Sequence, residues 1–391
     1  LRIALVHSFY SSRLPSGENA VVESEFKALR RAGYEVELFA AHTDHLTGDV
    51  LYPLRAALRV ATGRGASPLK AIRSFNPDLV HVHNLFPNFG RRWVEDIGVP
   101  LIHTVHNFRT LCANGMLFRD GRVCTQCPDG RRWSGFLHGC YRSSRLATLP
   151  STLANCRGPM SDPVFRRADR LLMLTELQRD IYVRAGVPPE KTTIAPNFLS
   201  QDLDPGPPPE QPRSGYIFVG RLSAEKGIRR LLECWPEGVD LRIVGDGPQR
   251  PELEAIAARL PNVSLVGQLT RPDVIQAMQR HRHLVFPSRA LEGFPLVYPE
   301  ALACGLAVIA FQPSALADLA NRDKTGMAVQ WDEPWPELLR GAPQPGAPSP
   351  AHCREIFEAH YSESSFRHRI AALLDALNKE RQKQPARAST P

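Results

Sequence analysis

The stretch Ser288–Gly305, SRALEGFPLVYPEALACG, decides how this chain is read. Glu292 and Glu300 stand eight residues apart in it, with Gly293, Phe294, Pro295, Leu296, Val297 and Pro299 between them. The apolar run His283-Leu284-Val285-Phe286 precedes it, and a small-residue helix ends at Gly305. A strand, a tight polar loop and a helix start are the parts from which an α/β sheet builds a ligand site. Pro299 suits the first helical turn, where its missing N–H is not needed. Glu300 then sits near a helix N-terminus. A capping glutamate beside an unrelated surface glutamate would look the same, so the pair needs support from elsewhere in the chain.

Support comes from upstream. Tyr216–Val219 reads as a strand and leads into Gly220-Arg221-Leu222-Ser223-Ala224-Glu225-Lys226-Gly227. A glycine-flanked loop that places two cations at a strand end suits a diphosphate. It is not a Walker loop, because GxxxxGK[ST] is absent. A solvated charged turn is the plain alternative. Leu241–Val244 is a second strand, followed by the glycine turn Gly245-Asp246-Gly247. Glycine there permits positive φ and close backbone approach, as any strand-to-helix turn requires. Pro251 opens a helix with Leu253, Ile256, Ala257 and Leu260 on one face. Val263–Val266, Leu284–Phe286 and Ala307–Ala310 continue the strands.

The first half repeats the pattern. Strands are expected at 2–7, 34–40, 78–83, 101–106 and 171–175, with a helix carrying Val22, Phe26 and Leu29 that Gly33 ends. Apolar strands alternating with amphipathic helices indicate parallel sheets covered on both faces. The fold class is therefore α/β, with two Rossmann-like halves. The first is expected over 1–200, with an irregular cysteine-bearing insertion at about 108–156. The Pro-rich 201–214 segment, QDLDPGPPPEQPRS, reads as a linker. A ligand-binding half follows over 215–355, and a terminal helix with a polar tail over 356–391.

Composition narrows the class. With 391 residues and 43% hydrophobic content, each half can bury a full core. No apolar run approaches the ~20 residues of a membrane span. The N-terminus reads as a first strand rather than a signal peptide, so a cytoplasmic location is expected. A net charge of +8 favours anionic partners, although arginine-rich, alanine-rich composition also reflects coding bias. No recognition helix or aromatic-basic array points to nucleic acid.

Other residues could carry chemistry. Gly17, after strand one, could let backbone amides approach a phosphate, unless Ser16 simply caps a helix. His83 and His106 fall at strand ends, where an imidazole can bond sugar hydroxyls or assist proton transfer. The His81/His83 and His281/His283 pairs read as structural before they read as metal ligands. Asp202-Leu203-Asp204 matches a divalent-cation spacing but lies in the linker, away from any strand end. Cys112, Cys124, Cys127 and Cys140 have a C-x11-C-x2-C-x12-C spacing. Four thiolates on one structural zinc, with His138 as a substitute ligand, would hold so long a loop. Reduced cysteines without metal are the alternative. Arg55, Arg59 and Arg64, with Leu54 and Leu58, could form a basic amphipathic face for a membrane surface, or a solvated helix.

The segments VGRLSAEKG, RIVGDGPQRPELE, FPSRALEGFPLVYPEALACG and TGMAV, in this order between Val219 and Val329, resemble the second half of family-4 glycosyltransferases. Those are retaining enzymes of the two-domain GT-B type, whose halves face across a cleft. The HVHN at 81–84 and HTVHN at 103–107 resemble the first half more loosely. The resemblance implies transfer of a sugar from a nucleoside-diphosphate donor to a glycan or lipid-linked hydroxyl acceptor. Arg221 and Lys226 would hold the diphosphate, Glu300 the ribose and Glu292 the transferred sugar. His106 would lie near the reaction centre. Gly17, Gly220, Gly245, Gly293, Phe294, Leu296 and Val297 would complete the donor site. No metal or cofactor would be required for the chemistry. The insertion resembles those of bacterial surface-polysaccharide transferases, which implies exopolysaccharide or cell-surface glycan synthesis, with possible peripheral attachment at the inner membrane face. Pro295 departs from the family, where a glycine is common, and removes one backbone donor. A sugar-nucleotide 2-epimerase of the same architecture, or a transferase acting on a small natural product, is the competing expectation.

Overall fold

The computed structural model describes every residue except 12–15, 47, 212, 341–346 and 384–391. The chain forms two compact units. The first comprises 1–115, 126–196 and the segment from Glu363 on. The second comprises 116–125 and 197–362.

The first unit holds a six-stranded parallel sheet. Its strands are β1 (Arg2–Phe9), β2 (Glu35–His42), β3 (Leu79–Asn84), β4 (Leu101–Val105), β7 (Arg170–Met173) and β8 (Thr192–Ile194), in the order β2-β1-β3-β4-β7-β8. A two-stranded antiparallel hairpin, β5 (Phe118–Arg119) with β6 (Arg122–Val123), lies in the second unit. β1 is buried from Ile3 onward and β3 throughout, as expected of strands covered on both faces.

The second unit holds another six-stranded parallel sheet. Its strands are β9 (Tyr216–Val219), β10 (Leu241–Val244), β11 (Val263–Gly267), β12 (His283–Phe286), β13 (Ala307–Phe311) and β14 (Gly326–Val329). Their order is β11-β10-β9-β12-β13-β14, the doubly wound arrangement. Its core packs Phe218, Leu231, Ile243, Leu253, Val285 and Phe311 around the sheet. In both sheets the order reverses beside the first strand. The reversal falls between β1 and β3 in one and between β9 and β12 in the other. Loops leaving those strands splay apart there and open a crevice.

Several expectations change in detail. The helix Gly17–Arg31 buries Val21, Val22, Glu25, Ala28 and Leu29, whereas Phe26 is only half-buried. A carboxylate therefore takes a place that an apolar pattern assigns to its neighbour. The 108–156 segment is not irregular throughout, since it contains the hairpin and the helices Ser134–Leu137 and Arg145–Asn155. The last helix breaks at Ser362, and Glu363–Lys383 belongs with the first unit. The Pro-rich 201–214 segment lies in the second unit, where Arg213 Nη1 donates to the Cys304 carbonyl at 2.7 Å. Asp204 accepts from Arg354 Nη2 at 2.9 Å, which accounts for the second acid of the Asp-Leu-Asp run.

Candidate active site

In the second unit, the loops after β9 and β12 meet at the reversal point. Gly227, at φ 70°, has no room for a Cβ, which would lie 2.0 Å from the Pro287 carbonyl oxygen. That close approach sets Lys226 beside Glu292, Nζ to Oε2 at 2.7 Å. The Ser288 hydroxyl lies 2.6 Å from the other carboxylate oxygen of Glu292. Lys226 Nζ also stands 5.4 Å from the centre of the Phe286 ring. Both members of the pair remain about one-fifth exposed, so the pair is reachable by ligand. Arg221 is exposed and has no side-chain partner among the described residues.

The Gly245-Asp246-Gly247 turn is built for backbone proximity. A Cβ on Gly245 would lie 1.9 Å from the Gly220 carbonyl oxygen, and one on Gly247 2.4 Å from that of Leu222. The Leu222 N–H donates to the Asp246 carbonyl at 2.9 Å, and the Gln249 N–H to that of Leu222 at 3.0 Å. These glycines fix the shape of the Arg221 loop.

Pro299 and Glu300 lie in the first turns of the helix Val297–Ala303, whose residues are all buried. Glu300 accepts from Arg271 Nη2 at 2.6 Å. Burial pushes its carboxyl up, and the Arg271 guanidinium opposes that rise. Arg271 begins the helix Arg271–Gln279, which the sequence reading passed over. Its RPD start, after the capping Thr270, was the available signal. Phe294 and Val297 are buried, while Leu296 is half-buried.

The first unit carries a second constellation at its own reversal point. His83 Nδ1 and His106 Nε2 are 2.9 Å apart. Glu25 Oε1 lies 2.7 Å from His81 Nδ1 and 3.6 Å from His83 Nε2, all three residues being buried. Burial alone would raise the Glu25 carboxyl, but the two imidazoles hold it well below the ordinary carboxylate range. Burial lowers the His106 ring well below 6.5, reinforced by His83 and His7. His106 is therefore a neutral donor–acceptor at neutral pH, suited to hydrogen-bonding a hydroxyl. It lines a cavity of about 90 Å³ within this unit. Gly17 begins its helix, and Ser16 makes no side-chain cap.

Among the described residues, the one set of three possible metal ligands lying within 4.8 Å of one another is Glu25, His81 and His83. Tetrahedral zinc at ~2.3 Å from each thiolate draws sulfurs within ~4 Å. Cys112, Cys127 and Cys140 belong to the first unit and Cys124 to the second. His138, the suggested substitute, is exposed.

Two family descriptions fit the chain. "Glycosyl transferase 4-like domain" matches residues 16–197, and "Glycosyl transferases group 1" matches residues 213–339. The chain belongs to the family-4 glycosyltransferases. A GDP-mannose-dependent alpha-mannosyltransferase of Mycobacterium tuberculosis is 28% identical over 84% of this chain and 84% of that protein. The alpha-D-kanosaminyltransferase of Streptomyces kanamyceticus is also 28% identical, over 48% of this chain and 55% of its own length. Against an uncharacterized glycosyltransferase of Methanocaldococcus jannaschii, the match covers 34% of that relative. Among solved structures, sucrose-phosphate synthase of Thermosynechococcus elongatus superposes with TM-score 0.65 at 20% identity. That match covers 97% of this chain and 99% of the synthase. Anabaena HepE in complex with UDP gives 0.63 at 16% identity, covering 96% of this chain and all of that one. These likenesses establish the two-domain GT-B fold for this family-4 glycosyltransferase.

Proposed function

We propose that this chain transfers a sugar from a nucleoside-diphosphate sugar to a hydroxyl acceptor, with retention of configuration. The observation that carries the reading is the Lys226–Glu292 pair at the reversal point of the second sheet, beside the exposed Arg221. A cation paired with a carboxylate on one crevice can divide a nucleotide sugar between them. Lys226 and Arg221 take the diphosphate and offset the charge that develops as it leaves. Glu292 accepts from the sugar's hydroxyls. Glu300, held by Arg271, has one oxygen committed and the other available to a ribose hydroxyl. His106, neutral at working pH, orients hydroxyls on the acceptor side. HepE was solved with UDP and with UDP-glucose, which supports a nucleotide-sugar donor here.

A cell-surface glycan role at the inner face of a membrane fits one further feature. Eight large hydrophobic side chains of the first unit are exposed close together in sequence: Val50, Leu51, Leu54 and Leu58, then Trp133, Leu137, Leu146 and Leu153. The helices Tyr52–Thr62 and Arg145–Asn155 that carry four of them pack against each other. Arg55 and Arg145 are exposed on these helices, and Arg142 in the turn before the second. An apolar patch rimmed by arginines suits an anionic lipid surface. Arg59 does not belong to it, because its Nη1 turns to the Pro87 carbonyl at 2.9 Å. No helix among the described residues is long and apolar enough to cross a membrane.

The test is a thermal-shift screen of nucleoside diphosphates and nucleotide sugars, followed by product analysis. Binding to the native state raises the melting temperature by mass action. Incubation of the preferred sugar nucleotide without acceptor should leave its sugar configuration unchanged. An epimerised sugar nucleotide would sink the transferase reading.

A further inference from the structure

The cavity of the first unit contains a feature that hydroxyl recognition does not explain. Three arginines line it: Arg59, Arg91 and Arg109. Four of their N–H groups are buried without a hydrogen-bond partner among the described residues, namely Nε of Arg59, Nε of Arg91, and Nε and Nη1 of Arg109. A buried guanidinium N–H that meets no acceptor is unfavourable, more so than for a neutral donor. A folded protein keeps several such groups on one cavity wall when something else supplies the acceptors.

Local acids answer only part of this wall. Asp162 is engaged by Arg91 Nη1 at 2.9 Å. Arg59 makes no ion pair among the described residues. Tyr10 and Glu18 face Arg109; burial pushes the Glu18 carboxyl up, and Asn107 and Arg109 oppose that rise. Arg109 stays charged, burial being outweighed by Tyr10 and Glu18, and its Cζ stacks 4.1 Å from the Phe86 ring centre. That stacking fixes the plane of the fork, which favours bidentate recognition of an oxyanion. The cavity, at about 90 Å³, holds several waters or one small anion.

We infer that this cavity binds a phosphate or diphosphate group of the acceptor, seated on Arg59, Arg91 and Arg109. The inference rests on the glycosyltransferase reading and narrows it, because it makes the acceptor an anionic phosphorylated species rather than a neutral sugar. Two sources share that chemistry: a polyprenyl diphosphate in a lipid surface and a free phosphorylated sugar. Arg59 joins the cavity to the helix that exposes Leu54 and Leu58, which places the anion beside the patch proposed to meet lipid.

The nucleoside diphosphate that stabilises the protein most in the thermal-shift screen, at saturation, fills the donor site, so that added anion reports on the cavity. Full-length protein is then titrated with inorganic pyrophosphate in one arm. In the other arm it is titrated with phosphatidylcholine vesicles carrying a polyprenyl diphosphate. Binding is expected in at least one arm. It should weaken at least tenfold in Arg109→Gln and in Arg59→Gln, and stay within twofold in Arg73→Gln, a surface control. Tighter binding to the vesicles assigns the lipid source, and equal binding assigns the free one. Stabilisation of each variant by the same nucleoside diphosphate checks that it is folded. Should Arg109→Gln fail to fold, Arg59→Gln, on a half-exposed side chain, decides alone. Anion binding that is absent in both arms, or unchanged in both variants, overturns the inference. The donor reading then survives or falls separately, by whether any nucleoside diphosphate in the screen stabilises the wild type.

Discussion

Replacing Lys226 by methionine keeps the length of the side chain and removes its charge. Lys226 Nζ and Glu292 Oε2 are 2.7 Å apart, with each side chain about four-fifths buried. A charge-assisted hydrogen bond of this kind contributes about 1.5–3 kcal/mol. The remaining exposure and the side-chain entropy of lysine bring the net structural effect to about 1–2 kcal/mol. For a unit of this size, that lowers the melting temperature by only a few degrees. The catalytic effect should be much larger. A cation aimed at a leaving diphosphate is worth about 10²–10³ in rate, or ~2.7–4 kcal/mol. Lys226→Met should therefore reduce kcat/KM by two to three orders of magnitude in an assay of released nucleoside diphosphate. Glu292→Gln alone should reduce it as well. The double variant should lose less than the product of the two single losses, because each residue positions the other. A Lys226→Met enzyme within threefold of wild type would refute the assignment of Lys226 to the diphosphate, whatever its stability.

Gly245→Ala places a methyl group 1.9 Å from the Gly220 carbonyl at a φ of +143°, so urea denaturation should show a loss of about 3 kcal/mol or more. Arg271→Ala strips the buried Glu300 carboxylate of its partner and should destabilise by about 1–3 kcal/mol, with most of that recovered in Arg271→Ala/Glu300→Gln. Acidification has a definite sign: His7 and His103 are drawn down by burial to about 3 and about 4, so below pH 6.5 the unfolded chain takes up protons that the folded chain refuses. Their contribution to stability is complete above pH 6.5 and declines as pH falls towards 4, amounting to about 3 kcal/mol between pH 6.5 and 5 by urea titration. His103→Gln should make that decline shallower.

Much of the architecture was legible in the letters. Runs such as Ile3–Val6 and Leu284–Phe286 could be strands buried on both faces and little else, and glycines at the strand ends marked the turns. Arg221, Lys226 and Glu292 were readable as strand-end residues, and the strand order then brings the loops after β9 and β12 to one crevice. What stayed hidden were partners distant in sequence. Arg271 lies 29 residues before Glu300, on a weakly amphipathic helix, and no local pattern joins them. Glu25 occupies a buried helical position beside Phe26, and apolar periodicity selects the phenylalanine. The cavity arginines come from three separate segments and meet only through the fold.

The helix Glu363–Lys383 has a consequence for how the chain acquires its shape. Glu363, fully buried, takes both Nε and Nη2 of Arg31, at 2.9 and 2.5 Å, and Phe366, Ile370, Leu374 and Leu377 are buried behind it. Arg31 ends the first long helix of the chain. During synthesis the first unit thus begins to assemble at once, yet waits for the ribosome to finish the second before its last helix arrives. Until then an arginine and an apolar groove stand uncovered. Expressed as a fragment ending near residue 196, the first unit would keep that open flank permanently, and supplying residues 363–383 in trans is the direct way to close it.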